Sequence, residues 1–74
     1  MALLNQLRYG MQMKTKNQLE DISSLTLDAD LVANRVTNAV VTVLERLISQ
    51  PDFLLVEHNN GKLAVYKESE LERV

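Results

Sequence analysis

The chain has 74 residues, no cysteine and a net charge of −2. One small domain, residues 1–74, is all this length allows. It buries only about 60% of its unfolded surface, with no disulfide framework or thiolate metal site to help. The 46% hydrophobic content is that of a folded chain, no apolar run approaches the ~18 residues that span a bilayer, and the acidic balance disfavours non-specific nucleic-acid binding.

The charge is uneven. Arg8, Lys14 and Lys16 lie in residues 1–19 without an acid, whereas residues 20–30 hold Glu20, Asp21, Asp28 and Asp30 without a base. Residues 1–4 are too short for the apolar segment of a signal peptide. The absence of cysteine fits a reducing cytoplasm, and a homodimer is the expected source of extra burial.

Residues 2–23 read as helix. Leu3, Leu4, Leu7, Met11 and Met13 are spaced roughly as one apolar stripe. Gly10 weakens it by about 1 kcal/mol relative to Ala, and the polar residues 15–17 are a candidate break. Residues 23–26 form a connector, with Thr26 as cap for the next helix. Asp28 and Asp30 then fall in its first turn, where the helix dipole favours negative charge.

Residues 28–50 carry the strongest helical signal. Ala29, Val32, Val36, Val40, Val43 and Leu47 follow in steps of three and four. Leu44, Ile48, Val41 and Ala39 extend the stripe almost all round, which implies a partner surface as well as a core. Pro51 ends the helix. Residues 53–58 and 62–67 are rich in β-branched and aromatic residues and read as strands. Asn60-Gly61 predicts a two-residue turn with both residues at positive φ. That register pairs His58 with Leu63, Val56 with Val65 and Leu55 with Tyr66. It puts Leu54, Val56, Leu63 and Val65 on one face. Residues 69–74 are a short acidic tail with room for one helical turn. The expected fold class is therefore α+β: an N-terminal helix, a long central helix or helix-turn-helix, and a C-terminal β-hairpin.

Catalytic and metal chemistry finds little purchase. There is no Gly-rich phosphate loop. His58 is the lone histidine and reads as an ordinary, partly exposed strand residue, because its neighbour Glu57 points to the opposite face. Asp28 and Asp30 project about 200° apart on a helix and form no carboxylate pair. No cofactor, metal site or enzymatic activity is expected.

The run Val36-Thr37-Asn38-Ala39-Val40-Val41-Thr42-Val43-Leu44-Glu45-Arg46-Leu47-Ile48 resembles the recognition-helix segment of winged helix-turn-helix DNA-binding proteins. Residues 55–66 are similar to their wing, and the ending 66–72 to the last strand and closing helix of small excisionase-like proteins. The resemblance covers residues 36–71. It implies that Thr37 caps the helix, that Val41, Leu44 and Leu47 are buried, and that Asn38, Thr42 and Arg46 face DNA. Lys62, Lys14, Lys16 and Arg8 would then meet phosphates, in a dimer that doubles these contacts.

A second reading stands beside it. No breaker occupies Asn34-Arg35-Val36-Thr37, so residues 28–50 also read as one helix about 34 Å long. The protein is then a homodimeric protein-interaction module, such as a small phage or bacterial accessory factor, that binds no nucleic acid. Ala39, Val40, Val43, Leu47, Leu4, Leu7 and Met11 would form its dimer or partner interface.

Overall fold

The computed structural model describes residues 9–74. In chain order it contains β1 (Gln12–Thr15), α1 (Ala29–Ala33), β2 (Val40–Arg46), β3 (Phe53–His58), β4 (Leu63–Lys67), a 3₁₀ turn (Glu68–Glu70) and β5 (Leu71–Arg73). The strands form one sheet in the order β4-β3-β2-β1-β5, and every neighbouring pair is antiparallel.

This corrects the helical expectation. The long central helix does not exist. Its first turn survives as α1, capped by Asp28, whose side chain accepts from the Asp30 amide, rather than by Thr26. From Val40 onward the same residues are strand. Val40, Val41, Thr42 and Val43 are four β-branched residues in succession, stiff at χ1 and suited to a pleated surface. Val41 and Val43 are buried while Val40 is exposed, a period of two. Steps of four suit both periods, whereas the step of three from Val40 to Val43 keeps one face only in a helix; the β-branched run decides for the strand. A helix-turn-helix with a recognition helix is therefore absent, and with it the basis of the winged-helix and DNA-binding expectation. The predicted N-terminal helix is also corrected where it is described: residues 12–15 are β1, and residues 1–8 lie outside the described residues.

The hairpin of β3 and β4 forms where the sequence put it, but one residue out of register. The His58 amide donates to Lys62 O and the Gly61 amide to His58 O, both at 2.9 Å. The loop thus has three residues, 59–61, with only Gly61 at positive φ (84°). Asn60 instead accepts from the Lys62 amide at 3.0 Å. The pairs become Glu57–Leu63, Val56–Ala64, Leu55–Val65 and Leu54–Tyr66. A slip of one residue exchanges the faces of a strand, so Tyr66 joins Leu54 and Val56 while Val65 turns to the other side.

The sheet is curled into a small, partly open barrel whose end strands β4 and β5 do not pair, and its connectivity requires the curl. Five flat strands span about 19 Å from first to last. The outermost strands, β4 and β5, are joined by Glu68–Glu70 alone, and four residue steps reach at most about 14 Å. A bulge between Val43 and Glu45 helps to bend β2. The inner face closes on itself: Met13, Val41, Val43, Leu54, Val56, Ala64, Tyr66 and Leu71 come from all five strands and none exceeds 6% exposure. The outer face of β3 and β4 is covered by the long β1–β2 connection, whose Ile22, Leu27, Leu31 and Val32 pack with Phe53 and Val65.

The strand reading separates two valines that the helical stripe made equivalent. Val43→Ala is expected to lower stability by about 2 kcal/mol, because it empties a fully enclosed site. Val40→Ala should stay within about 0.5 kcal/mol. Urea unfolding midpoints of the two variants measure the difference.

Candidate interaction site

The most constrained chemistry lies where the β1–β2 connection meets β4. Arg35 and Glu70 form a bidentate ion pair: Nη1 donates to Oε1 at 2.8 Å and Nη2 to Oε2 at 2.7 Å. Their side chains are only 6% and 4% exposed. A buried pair is tolerable only when its remaining hydrogen-bonding capacity is filled. Here it is well supplied. Arg35 also donates to Val65 O and Glu20 O, while Glu70 also accepts from the Glu20 and Lys67 amides. The guanidinium lies 5.2 Å from the centre of the Tyr66 ring, within cation–π range.

Burial alone would push the Glu70 carboxyl up. The Arg35 hydrogen bond, the two amides and the Arg35 charge outweigh it and hold the group below its ordinary 4.5. Among the described residues no buried side-chain polar atom lacks a partner.

One residue further on, the backbone of Val36 is held from both sides. Its amide donates to the Tyr66 hydroxyl at 2.8 Å, and its carbonyl accepts from that hydroxyl at 3.1 Å and from Thr15 Oγ1 at 2.8 Å. Thr15 in turn accepts from the Ala39 amide. His58 Nε2 lies 3.0 Å from the same hydroxyl. With the hydroxyl proton committed to Val36 O, the hydroxyl has a lone pair left for His58, which assigns the histidine proton to Nε2. Partial burial lowers the His58 pKa, favouring the neutral ring. Burial raises that of Tyr66, against the lowering effects of Val36 and Arg35, so its hydroxyl stays a donor.

These contacts also close one edge of the sheet. Leu63 O, Val65 O and the Lys67 amide face outward from β4. They are taken by Asn34 Nδ2, Arg35 Nη1 and Glu70 Oε1. A strand edge satisfied by side chains is a poor template for another chain.

Between the end of α1 and the hairpin tip is a cleft of about 230 Å³, lined by Ala33, Asn34, Val36, His58, Asn60 and Lys62. Val36 is 48% exposed at its rim. On the sheet face at the same end, exposed Val40 stands opposite Lys14, which also faces Glu72, and exposed Leu63 stands opposite Glu57.

The residues expected to read DNA are not brought together. Asn38 is in a loop at φ 56°, donating its amide to Thr15 O. Thr42 is half-buried within β2. Arg46 is at the far end of β2, about 20 Å from Val40, paired with Glu68 at 2.9 Å. Lys14, Lys16 and Lys62 are exposed at the Asn38 end. Of the expected interface residues, Val43 is inside the barrel, Val40 is exposed, and Ala39, Leu47 and Met11 are half-buried. Leu4, Leu7 and Arg8 lie outside the described residues. Arg35, Glu70, Tyr66 and Thr15 carry the observed network, and the sequence reading assigned none of them a functional role. A glutamate in an acidic tail and an arginine 35 positions earlier leave no local pattern.

Among the described residues, no cluster of His, Asp or Glu could hold a metal ion, and no helix is long and apolar enough to cross a membrane. No protein-family model, no curated protein and no solved structure matches the chain.

Glu70→Gln leaves Arg35 buried without its counter-charge and should lower stability at neutral pH by about 3–5 kcal/mol. Because the folded pKa of Glu70 is depressed, its contribution is complete above 4.5 and lost as acid titrates the folded group. The wild type should therefore lose stability below 4.5 more steeply than Glu70→Gln, as read from urea midpoints across that range.

Proposed function

We propose that this chain is a non-catalytic protein-interaction domain of the cytoplasm that works as a homodimer through the cleft end of its barrel. The observation that carries the reading is Val36, held rigidly by its backbone yet 48% exposed beside a polar cleft. The end of the sheet that bears the cleft holds both signs of charge: Lys62 lines the cleft, and Lys14, Glu72 and Glu57 stand on the other sheet face at the same end. An isologous contact places the same patch against itself, so a mixed-sign patch suits a second copy where a single-sign patch would repel it. A chain of 74 residues also gains more from added burial than a larger one. Ile48, 99% exposed at the opposite end of β2, is a single apolar residue on a turn and needs no partner. Among the described residues, the groups lining the cleft include no carboxylate, hydroxyl or thiol, which favours a binding role over a catalytic one.

Sedimentation velocity at micromolar concentration should give a dimer. Val36→Asp should give a folded monomer, and Ile48→Asp should leave the dimer intact. A monomeric wild type overturns the reading, and dissociation by Ile48→Asp instead of Val36→Asp places the contact elsewhere.

A further inference from the structure

The cleft has an electrostatic bias that its shape does not reveal. Among the described residues its lining includes one titratable base, His58, and one fixed cation, Lys62, with no acid. From β4, the group facing His58 is the Tyr66 hydroxyl, 3.0 Å from Nε2. Arg35 lies against that same tyrosine ring, and its charge is already matched by Glu70. From β2, the residue paired with His58 is uncharged Val41. On β3 itself, Glu57 precedes His58 and points to the opposite face. From α1 and the loop after it come Ala33, Asn34 and Val36, all neutral. A proton on His58 therefore shares the cleft with one fixed cation, Lys62, and among the described residues that line it there is no counter-ion. Water entering the cleft is what solvates it.

Covering the cleft removes that water. We propose that self-association through this cleft is controlled by His58: the dimer forms when the imidazole is neutral and is weakened when it is protonated. The inference rests on the cleft being the dimer contact. Its sign follows from linkage, since the state that binds fewer protons, here the dimer, loses ground as pH falls. The hydrogen bond to Tyr66 is not the switch, because Nε2 donates in both protonation states. The change is the charge at Nδ1 and its hydration. The partial burial that already favours the neutral ring in the single copy acts in the same direction.

Sedimentation equilibrium at about pH 8 and about pH 5 tests this, a range that brackets the ordinary imidazole value of 6.5 and in which Glu70, held below 4.5, stays charged. The dimer Kd should rise about tenfold at the lower pH, because the histidines of both copies must lose a proton to associate. His58→Gln keeps an amide donor for Tyr66 and should dimerise with little pH dependence. A wild-type dimer with the same Kd at both pH values overturns the control by His58 and leaves the homodimer standing. A monomer at both pH values overturns both. If His58→Gln fails to fold, NMR titration of the wild-type His58 ring decides: its pKa should fall as protein concentration rises, and a concentration-independent value overturns the proposal.

Discussion

Glu70 accepts four hydrogen bonds on its two carboxylate oxygens: two from Arg35 and one each from the amides of Glu20 and Lys67. These donors belong to three parts of the chain that the β-ladders leave separate. Residue 20 lies near the start of the long connection between β1 and β2, residue 35 near its end, and residue 67 ends β4. The sheet's hydrogen bonds specify which strands are neighbours but not how that connection lies against them. Ordering such a segment costs about 1–2 kcal/mol per residue in backbone entropy. Burial of Ile22, Leu27, Leu31 and Val32 offsets part of this, and the ion pair fixes both ends. The same carboxylate caps an outward amide of β4 while Arg35 caps an outward carbonyl, so the latch that closes the barrel also seals one edge of its sheet.

The surface proposed to bind follows from this latch. Arg35 cannot reach Glu70, Val65 O and Glu20 O together unless the chain passes close over the barrel mouth. Val36, next in sequence, is then caught by the Tyr66 hydroxyl through both its amide and its carbonyl. With its backbone pinned inward, its side chain is left at the rim of the cleft beside His58. An exposed valine on a mobile loop would lose entropy on binding. One on a fixed backbone has already lost it, and preorganisation of this kind favours association.

The hairpin was the legible part of the fold. Phe53–His58 is a strand as predicted, because alternation, β-branching and flanking turn residues agree there. Its register was not, because Asn-Gly suits both a two-residue turn and a three-residue loop with only the glycine at positive φ, and the choice exchanges the faces of β4. The stretch from Val36 to Ile48 reads as helix because valines at 36, 40 and 43 satisfy a helical stripe, whereas the β-branching of residues 40–43 favours the strand that forms. The latch lay outside the reach of any local pattern. Arg35 and Glu70 are both charged, 35 positions apart, and each sits among residues that resemble solvated surface. Only the curl of the sheet, set by the three-residue link between β4 and β5, brings them together.

Native-state hydrogen exchange monitored by NMR addresses the latch most directly. The amides of Glu20, Val36 and Lys67 lie outside the β-ladders, and their acceptors are the side chains of Glu70 and Tyr66. If the latch holds the fold together, these three exchange only through global unfolding, as slowly as Val43 and Val56 at the centre of the sheet. Exchange of the three at the rate of an open loop, with β2 and β3 still protected, would show that the barrel stands without the latch and contradict the account.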